Sequence, residues 1–455
     1  MQEERPSKTA VRVLIGPLVT AFMYYMPFSM MILILPKVVN DRVGGGEVTS
    51  ASSTTLGVLA ALGSFCTICT TNLHATLSDS LGRKPFMFLG AMGFSIVMLI
   101  IRLSEAVWPL YVAIVVEGCL SCMYSVLHAS VADVQPEGNK LSEAYGLLQG
   151  AGLGMGLVIG LPLSGILADM QGIMLPVVVA MGLSFANALQ IVLFVPETLA
   201  PSNRVSPINW SKANPVGALK LVRAEMVMSR LVVSYMLLWA AQASLSSTFI
   251  NLGEKKYGWS TTQTGAGLAV IGILVAILPK ILLPRLGLLK AFQTALACTS
   301  VAHLLFALPA ASGSWLSNVF AYCGLALAAV GGVSFPSLLA LASGQVSDSE
   351  RGAVQGAADT AKTVMLMIFS PAMAALFGYF ISSAAPIEII GFNYYIGSAL
   401  ALAAFVVSLG LPPTIAHGCE KTDNVEDGQE RRKTEYISGE FDENGERSER
   451  RLSRV

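Results

Sequence analysis

Apolar stretches of about 20 residues recur along almost the whole chain, and they limit its fold more than any other feature. Each stretch is long enough to cross the hydrocarbon core of a bilayer as a helix. Only helices and closed barrels satisfy every backbone polar group in lipid, and these stretches lack the alternation of barrel strands. The sequence therefore predicts an all-helical membrane protein with twelve transmembrane helices, at 13–36, 52–75, 86–103, 109–132, 144–167, 172–195, 230–250, 264–283, 290–310, 316–342, 353–382 and 391–411.

The composition agrees with a membrane environment. Hydrophobic side chains make up 54% of the chain and charged side chains only 13%, whereas soluble domains carry roughly 25% charged residues. The 29 Lys and Arg residues balance 29 Asp and Glu residues, which excludes a strongly basic nucleic-acid-binding protein. The lipid bilayer is thus the predicted environment, and no nucleic acid is expected as a partner.

Lysine and arginine are distributed unequally between the two sides of the membrane. With the N-terminus in the cytoplasm, fifteen fall in cytoplasmic segments and five on the opposite side, at Lys37, Arg42, Arg102, Lys255 and Lys256. Because cytoplasmic loops carry the excess of positive charge, both termini are predicted to be cytoplasmic. Segment 1–12 is too short and too charged for a cleaved signal peptide, so the first span is expected to direct insertion. The plasma membrane and an endomembrane such as the vacuole both remain open.

The longest polar break divides the chain into two halves of six spans. It covers 196–229 and is predicted to be a cytoplasmic linker between six-helix bundles at 13–195 and 230–411. Two short segments echo each other, since Gly-Leu-Leu-Gln-Gly at 146–150 opens span five and Gly-Ala-Val-Gln-Gly at 352–356 opens span eleven. Two repeated halves with a site between them are a recurrent plan of transporters. In segment 412–455, 19 of 44 residues are charged, which predicts a disordered cytoplasmic tail.

The loop between spans two and three carries the most specific local pattern, Leu77-Ser78-Asp79-Ser80-Leu81-Gly82-Arg83-Lys84-Pro85. Asp79 stands at a helix end, Gly82 permits a tight turn, and Arg83 and Lys84 are adjacent cations. Charge-assisted hydrogen bonds between such groups can hold helix ends together. The loop is therefore a candidate gate, and the alternative is an ordinary positively charged turn.

This loop resembles the signature of the major facilitator superfamily, although Ala75 stands where that signature begins with glycine. The segments 131–133, Val-Ala-Asp, and 196–199, Pro-Glu-Thr-Leu, are also similar to that superfamily. Asn209-Trp210-Ser211, Phe335-Pro336 and the run Arg-Gly-Ala-Val-Gln-Gly at 351–356 resemble its tetracycline-resistance and hippocampus-abundant-transcript branch of drug:proton antiporters. The resemblance covers 13–411.

The resemblance implies a carrier that rocks between two conformations, with spans one, four, seven and ten around a central cavity. Asp79, Gly82, Arg83 and Lys84 would then control closure at the cytoplasmic side and would not bind the solute. The second-half counterpart of the loop, Leu-Pro-Arg-Leu-Gly at 283–287, lacks the acid. Span five is rich in glycine, which suits either antiport or ordinary close packing. A single chain is expected to suffice.

An ionisable residue within a span is costly in lipid and is a functional candidate for that reason. Glu117 lies near the middle of span four, and Ser121, Tyr124 and His128 follow at intervals that place all four on one face of a helix. This face is interpreted as a path for solute or proton. The alternative is that Glu117 is a protonated, hydrogen-bonded packing residue.

Span eleven carries the other two intramembrane charges. Asp359 and Lys362 are three residues apart, so they are predicted to pair on one helix face that also holds Gln355. An ion pair that breaks on protonation could couple a proton to the rocking motion. The alternative is a structural salt bridge near the cytoplasmic boundary.

Polar and aromatic groups elsewhere fit a cavity without defining its ligand. Trp239 and Gln242 in span seven are examples, and a cavity with aromatic walls and few charges suits a small organic, partly hydrophobic solute. The sequence contains no phosphate-binding loop, no cluster of metal ligands and no nucleophile with a neighbouring base. We therefore expect no enzymatic activity, no cofactor and no metal.

The sequence as a whole predicts a secondary active transporter that works by alternating access. Proton-coupled efflux is favoured, because an isolated carboxyl in a cavity of low dielectric constant can take up and release a proton. Glu117, Ser121, Tyr124, His128, Gln242, Asp359 and Lys362 are the candidates for binding solute or proton. A facilitative or symport uptake carrier and a non-transporting membrane receptor or trafficking protein remain as alternatives.

Overall fold

A computed structural model of the chain describes residues 8–134, 144–204, 226–346, 351–413 and 415. Within these residues twelve helices are long and apolar enough to cross a membrane, which confirms the predicted fold class. They are numbered here as spans one to twelve: Ile15–Gly44, Ser50–Leu81, Lys84–Leu103, Trp108–Val134, Ala144–Gln171, Met174–Phe194, Met226–Tyr257, Thr261–Leu286, Leu288–Ala307, Trp315–Ser343, Gly356–Phe380 and Phe392–Leu409. Most of the predicted linker and tail, with the Asn209-Trp210-Ser211 segment, lies outside the described residues.

The two halves pack their spans in the same order. In the first half, span three packs on spans four and six, and span one packs on spans five and six. In the second half, span nine packs on spans ten and twelve, and span seven packs on spans eleven and twelve. Spans two and five of the first half meet spans eleven and eight of the second. This arrangement agrees with the repeat that the two short sequence echoes indicate.

Spans four and ten are each interrupted near their middle. Span four consists of helices Trp108–Leu120 and Met123–Val134, and span ten of helices Trp315–Gly331 and Ser334–Ser343. These are the fourth spans of their halves, so the interruptions stand at corresponding places. Broken helices at corresponding places in two repeats often mark the binding site of a transporter.

Cations on two further corresponding spans cap the ends of neighbouring helices. Arg42, at the end of span one, donates to the Ala106 carbonyl beyond the end of span three at 3.3 Å. Lys256, at the end of span seven, donates from Nζ to the carbonyls of Phe306 at 2.6 Å and Leu308 at 2.8 Å, where span nine ends. A cation at a helix C-terminus satisfies carbonyls that have no partner within the helix.

Polar contacts join the two halves at one end of the molecule, which we call the Lys37 end. The ion pair Lys37–Glu254 and the hydrogen bond from Asn40 Nδ2 to Asn251 Oδ1, 3.0 Å long, connect span one to span seven. Asp169 at the end of span five accepts from the Thr262 backbone N–H at 2.9 Å. These three contacts tie first-half spans to second-half spans at this end. Asp79 and Arg83 lie at the opposite end, which we call the Arg83 end.

Glycines bring backbones together at the same Lys37 end. A Cβ atom on Gly57 in span two would lie 2.7 Å from Pro371 Cα in span eleven, and one on Gly265 in span eight would lie 2.5 Å from the Leu161 carbonyl oxygen in span five. No side chain larger than hydrogen fits at such distances. The halves are therefore closed against each other at the Lys37 end.

Candidate functional site

Two cavities lie along the interface between the halves, and they meet at Thr67 and Thr363. The Asp359 cavity, nearer the Arg83 end, has a volume of about 440 Å³. The Glu117 cavity, nearer the Lys37 end, has a volume of about 380 Å³. Both sizes fall within the usual range for small-molecule sites. Because the two cavities meet, they form a path along the interface that reaches Pro36, beside the closed Lys37 end.

Side chains of spans four and five form a hydrogen-bond network in the Asp359 cavity. Gln149 Nε2 donates to Tyr124 Oη at 3.2 Å and lies 3.0 Å from His128 Nε2. His128 Nδ1 lies 2.8 Å from the Tyr124 carbonyl oxygen, which can only accept. The proton of a neutral imidazole is therefore assigned to Nδ1, and Nε2 accepts from Gln149.

Asp359 lines the same cavity from span eleven, together with Thr360 and Thr363. It shares this cavity with Tyr124 and His128 of span four. Span two completes the wall with Thr67, Thr71 and Asn72. The Asp359 cavity thus joins residues from both halves of the chain.

Glu117 and Ser121 line the second cavity from span four. Ser246 and Ser247 of span seven line it from the other half, with Phe28 of span one among the apolar residues. Three ion pairs are present among the described residues, and none of them includes Glu117. Glu117 is therefore a carboxyl in an apolar cavity with hydroxyls but no cation beside it.

The interruption of span four separates the four residues that were predicted to share one helix face. At Ser121 the backbone turns, with φ −73° and ψ 69°, and the Cys122 N–H donates to the Leu120 carbonyl at 2.8 Å. In a regular helix the Gly118 carbonyl would accept from the Cys122 N–H. Here it accepts instead from the hydroxyl of Thr70 in span two, at 3.0 Å. These four residues therefore do not lie on one regular helix: Glu117 and Ser121 line one cavity, and Tyr124 and His128 line the cavity that meets it.

The predicted ion pair between Asp359 and Lys362 was also wrong. It is absent from the ion pairs of the described residues, and Lys362 Nζ instead lies 4.9 Å from the ring centroid of Trp239 in span seven. An ammonium group over an indole face is attracted by the ring quadrupole. Asp359 therefore faces its cavity without a cation bound to it.

Five of the seven residues predicted to bind solute or proton line one of the two cavities, and Gln242 and Lys362 do not. Gln242 does not belong to the described lining of either cavity, and its Oε1 atom is buried without a hydrogen-bond partner. Gln149 and Tyr145 line the Asp359 cavity and were not predicted. The available signal for Gln149 was its place in the echo at 146–150, which was interpreted only as a trace of duplication.

Arg83 connects the ends of several first-half spans at the Arg83 end of the molecule. Its guanidinium group donates to Asp133 at 3.0 Å, Asp79 at 2.6 Å and Ser78 at 2.8 Å, and the side chain is only 8% exposed. Burial alone would lower the pKa of Arg83, but hydrogen bonds and charge attraction from Asp133 and Asp79 outweigh it and raise the pKa. Arg83 thus stays charged at physiological pH.

Glu197, which follows span six, caps the start of span three. Its carboxylate accepts the backbone N–H groups of Arg83 at 2.8 Å and Lys84 at 3.1 Å. Gly82 permits this approach, because its φ is +106° and a Cβ atom there would lie 2.5 Å from Glu197 Oε2. Lys84 donates to the Val192 carbonyl at 2.9 Å. The predicted gate residues therefore belong to one network, whose described partners lie in the first half or, for Glu197, just after span six.

Residues 18–370 match the family model of the Major Facilitator Superfamily. The chain belongs to this superfamily. Within it, the chain is 26% identical to the class C tetracycline resistance protein of Escherichia coli over 354 residues, which cover 77% of this chain and 85% of that protein. It is 28% identical to the human hippocampus abundant transcript 1 protein over 290 residues, 62% of this chain and 58% of that protein. The predicted resemblance to tetracycline-resistance and hippocampus-abundant-transcript proteins is confirmed.

Solved structures of superfamily transporters share the fold. The human organic anion transporter TETRAN superimposes with a TM-score of 0.63 at 20% identity, covering 89% of this chain and 100% of that chain. The nucleoside transporter NupG superimposes with a TM-score of 0.68 at 11% identity, covering 88% of this chain and 98% of that chain. This superfamily member is thus an integral membrane transporter with a twelve-helix fold.

Proposed function

We propose that this superfamily member is a proton-coupled efflux carrier for a small organic, partly hydrophobic solute, and that it works by alternating access. The observation that carries the proposal is the pair of connected cavities between two halves that are closed at the Lys37 end. In this proposal a solute reaches the cavities from the Arg83 end, because contacts between the halves close the Lys37 end. Rocking of the halves would open the Lys37 end and close the Arg83 end.

The proposed orientation assigns each end of the molecule to one side of the membrane. With both termini in the cytoplasm, the Arg83 end faces the cytoplasm and the Lys37 end faces the opposite side. The linker around 196–229 and the charged tail from 412 onward would then be cytoplasmic as well. A single chain contains both halves of the path, so we propose that the monomer transports.

Glu117 is the proposed site of proton coupling. It is the one carboxyl in the described lining of the Glu117 cavity, and it has no ion-pair partner among the described residues. A carboxyl in apolar surroundings can exchange between neutral and charged forms when the surroundings change. Opening the Lys37 end would change the hydration of Glu117, and so couple proton release to rocking.

Asp79, Gly82, Arg83 and Lys84 are the proposed gate at the Arg83 end. Asp79 is the exposed member of the network, with 42% of its side chain accessible, so it can meet the second half when that end closes. Arg83 would hold Asp79 in position during this movement. In this scheme the gate residues position helix ends and do not contact the solute.

Replacing Glu117 by glutamine tests the coupling. Tetracycline is a suitable first probe because two relatives named for tetracycline resistance align over most of their length. In vesicles that contain the purified chain, an imposed pH gradient is expected to drive uphill tetracycline flux in the wild type. Glu117→Gln is expected to abolish uphill flux, while Glu105→Gln, in an exposed loop, provides the matched control. Unchanged coupling in Glu117→Gln would overturn the assignment.

A further inference from the structure

The described lining of the Asp359 cavity contains an acidic side chain but no lysine or arginine. Asp359 contributes a carboxylate, and the described lining includes no lysine or arginine. The nearest cation along span eleven, Lys362, is held over the Trp239 ring at 4.9 Å. In its neutral form, His128 adds no charge to the cavity, and its Nε2 accepts from Gln149. A ligand that enters this cavity therefore meets a carboxylate and no lysine or arginine in the described lining.

Aromatic rings form the wall that faces this carboxylate. The Tyr124 and His128 ring centroids are 4.2 Å apart, and those of His128 and Tyr145 are 5.3 Å apart. Tyr124 is 40% exposed although it lies within the protein interface, because the cavity uncovers it. Tyrosine faces attract cations through the ring quadrupole, most strongly where water is partly excluded.

The remaining polar groups of the cavity are uncharged. Asn72 and Gln149 provide amides, and Thr67, Thr71 and Thr360 provide hydroxyls. Amide and hydroxyl oxygens can accept hydrogen bonds from an N–H donor. A carboxylate, aromatic faces and neutral acceptors around one space are complementary to an ammonium group that carries an apolar substituent.

We propose that the Asp359 cavity is a binding site for organic ammonium ions, with Asp359 as the counter-ion and Tyr124 and Tyr145 as the aromatic wall. This inference rests on the proposed function, since it names the chemical class of the solute that the carrier moves. It also assigns different roles to two carboxyls: Asp359 binds the amine, and Glu117 exchanges the proton. The two groups lie in different cavities that meet at Thr67 and Thr363.

Equilibrium binding to the purified full chain tests the site. The probes are 2-phenylethylamine, which is a cation at neutral pH, and 2-phenylethanol, which has nearly the same shape and no charge. Titration calorimetry is expected to detect the amine and to find the alcohol at least about tenfold weaker, because a hydrogen bond to a charged group contributes more than a neutral one. Equal affinity for the two probes would overturn the proposal.

Substitutions at Asp359 test whether the amine affinity depends on this carboxylate. Asp359→Asn is expected to weaken amine binding at least about tenfold and to leave alcohol binding unchanged, whereas Asp359→Glu keeps the charge and is expected to restore most of the amine affinity. Asp41→Asn makes the same substitution at an exposed position near the Lys37 end and controls for the loss of one charge. Full amine affinity in a folded Asp359→Asn protein would overturn the proposal.

A substitution at Lys362 is expected to change the amine affinity in the opposite direction from Asp359→Asn. Lys362→Gln removes the cation nearest to Asp359 on its own helix and does not alter the described cavity lining. Amine binding is therefore expected to become tighter, which general unfolding could not produce. An amine affinity reduced to the level of Asp359→Asn would show that Lys362 shapes the site, and would contradict the assignment of Asp359 as an uncompensated counter-ion.

Binding and transport can fail separately. If vesicles show no coupled flux while the amine binds and depends on Asp359, the ammonium site is supported and the proposed carrier function is overturned. If vesicles transport a neutral solute against its gradient and the amine does not bind, the carrier function is supported and the ammonium site is overturned.

Discussion

Replacing Gly265 by alanine is expected to push the two halves apart at the Lys37 end. The added Cβ atom would lie 2.5 Å from the Leu161 carbonyl oxygen and 3.0 Å from Leu33 Cδ2. The first of these partners is backbone of span five, which cannot turn aside as a side chain can. Relief of the contact therefore requires span eight to move away from span five.

The magnitude follows from the geometry of this contact. Inserting a methyl group into a closely packed interface costs roughly 1–3 kcal/mol. The gain in helix propensity from alanine is the same in both conformations, so it cancels in their equilibrium. The conformation closed at the Lys37 end should therefore lose population relative to the open one by a factor of about 5–150.

Cysteine accessibility provides the assay. Ser247 lines the Glu117 cavity below the closed end, and its hydroxyl donates only to the Ala243 carbonyl within its own helix. A membrane-impermeant maleimide applied from the Lys37 side should label Ser247→Cys slowly. Adding Gly265→Ala should accelerate this labelling above the level due to native cysteines.

Gly272→Ala is the matched control on the same helix. A Cβ atom on Gly272, two turns beyond Gly265, would come no closer than 3.9 Å to Val158, which is ordinary contact. This variant should therefore label at the wild-type rate. Equal labelling rates for Gly265→Ala and Gly272→Ala would refute the argument that close backbone contact closes this end.

Two further predictions concern stability, measured as the unfolding temperature in detergent. Thr70→Val removes the hydroxyl that donates to the Gly118 carbonyl, so it is expected to lower the free energy of unfolding by about 1–3 kcal/mol. In Thr55→Val the lost hydroxyl donates only one turn back in its own helix, so the decrease should be smaller. Arg83→Ala is expected to cost about 3–5 kcal/mol, because it leaves Asp133 largely buried without its cation. Lys84→Ala should cost less than Arg83→Ala, and equal losses would contradict the central place of Arg83.

The spans could be predicted from the sequence because lipid imposes a simple condition. A helix that crosses the bilayer needs a long apolar run, and such runs are visible without knowledge of their neighbours. The interruption of span ten had a local signal as well, in Gly331, Gly332 and Pro336. The interruption at Ser121 had no local sequence signal, since neither Ser121 nor Cys122 disfavours a helix strongly. The hydroxyl that satisfies the freed Gly118 carbonyl belongs to Thr70, which lies in another span.

Contacts between spans explain the site predictions that were wrong. The spacing of Asp359 and Lys362 permits an ion pair, but spacing alone does not choose a side-chain conformation. Trp239 of span seven provides an alternative partner for Lys362, and its position depends on how the spans pack. Gln149 was missed for the same reason, because its partners Tyr124 and His128 lie on the neighbouring span four.

The two halves repeat their architecture but not their charges. Both fourth spans are interrupted, yet Ala328 and Ala329 stand one turn before the interruption of span ten, where Glu117 stands in span four. Aligning Gln149 with Gln355 places Leu153 opposite Asp359. Duplication therefore accounts for the helices, the interruptions and the closed end, but not for either carboxyl. Because each carboxyl occurs in one half only, the proposed rocking would move it against a half that has no matching carboxyl. The two carboxyls could therefore take different roles in the proposed transport cycle.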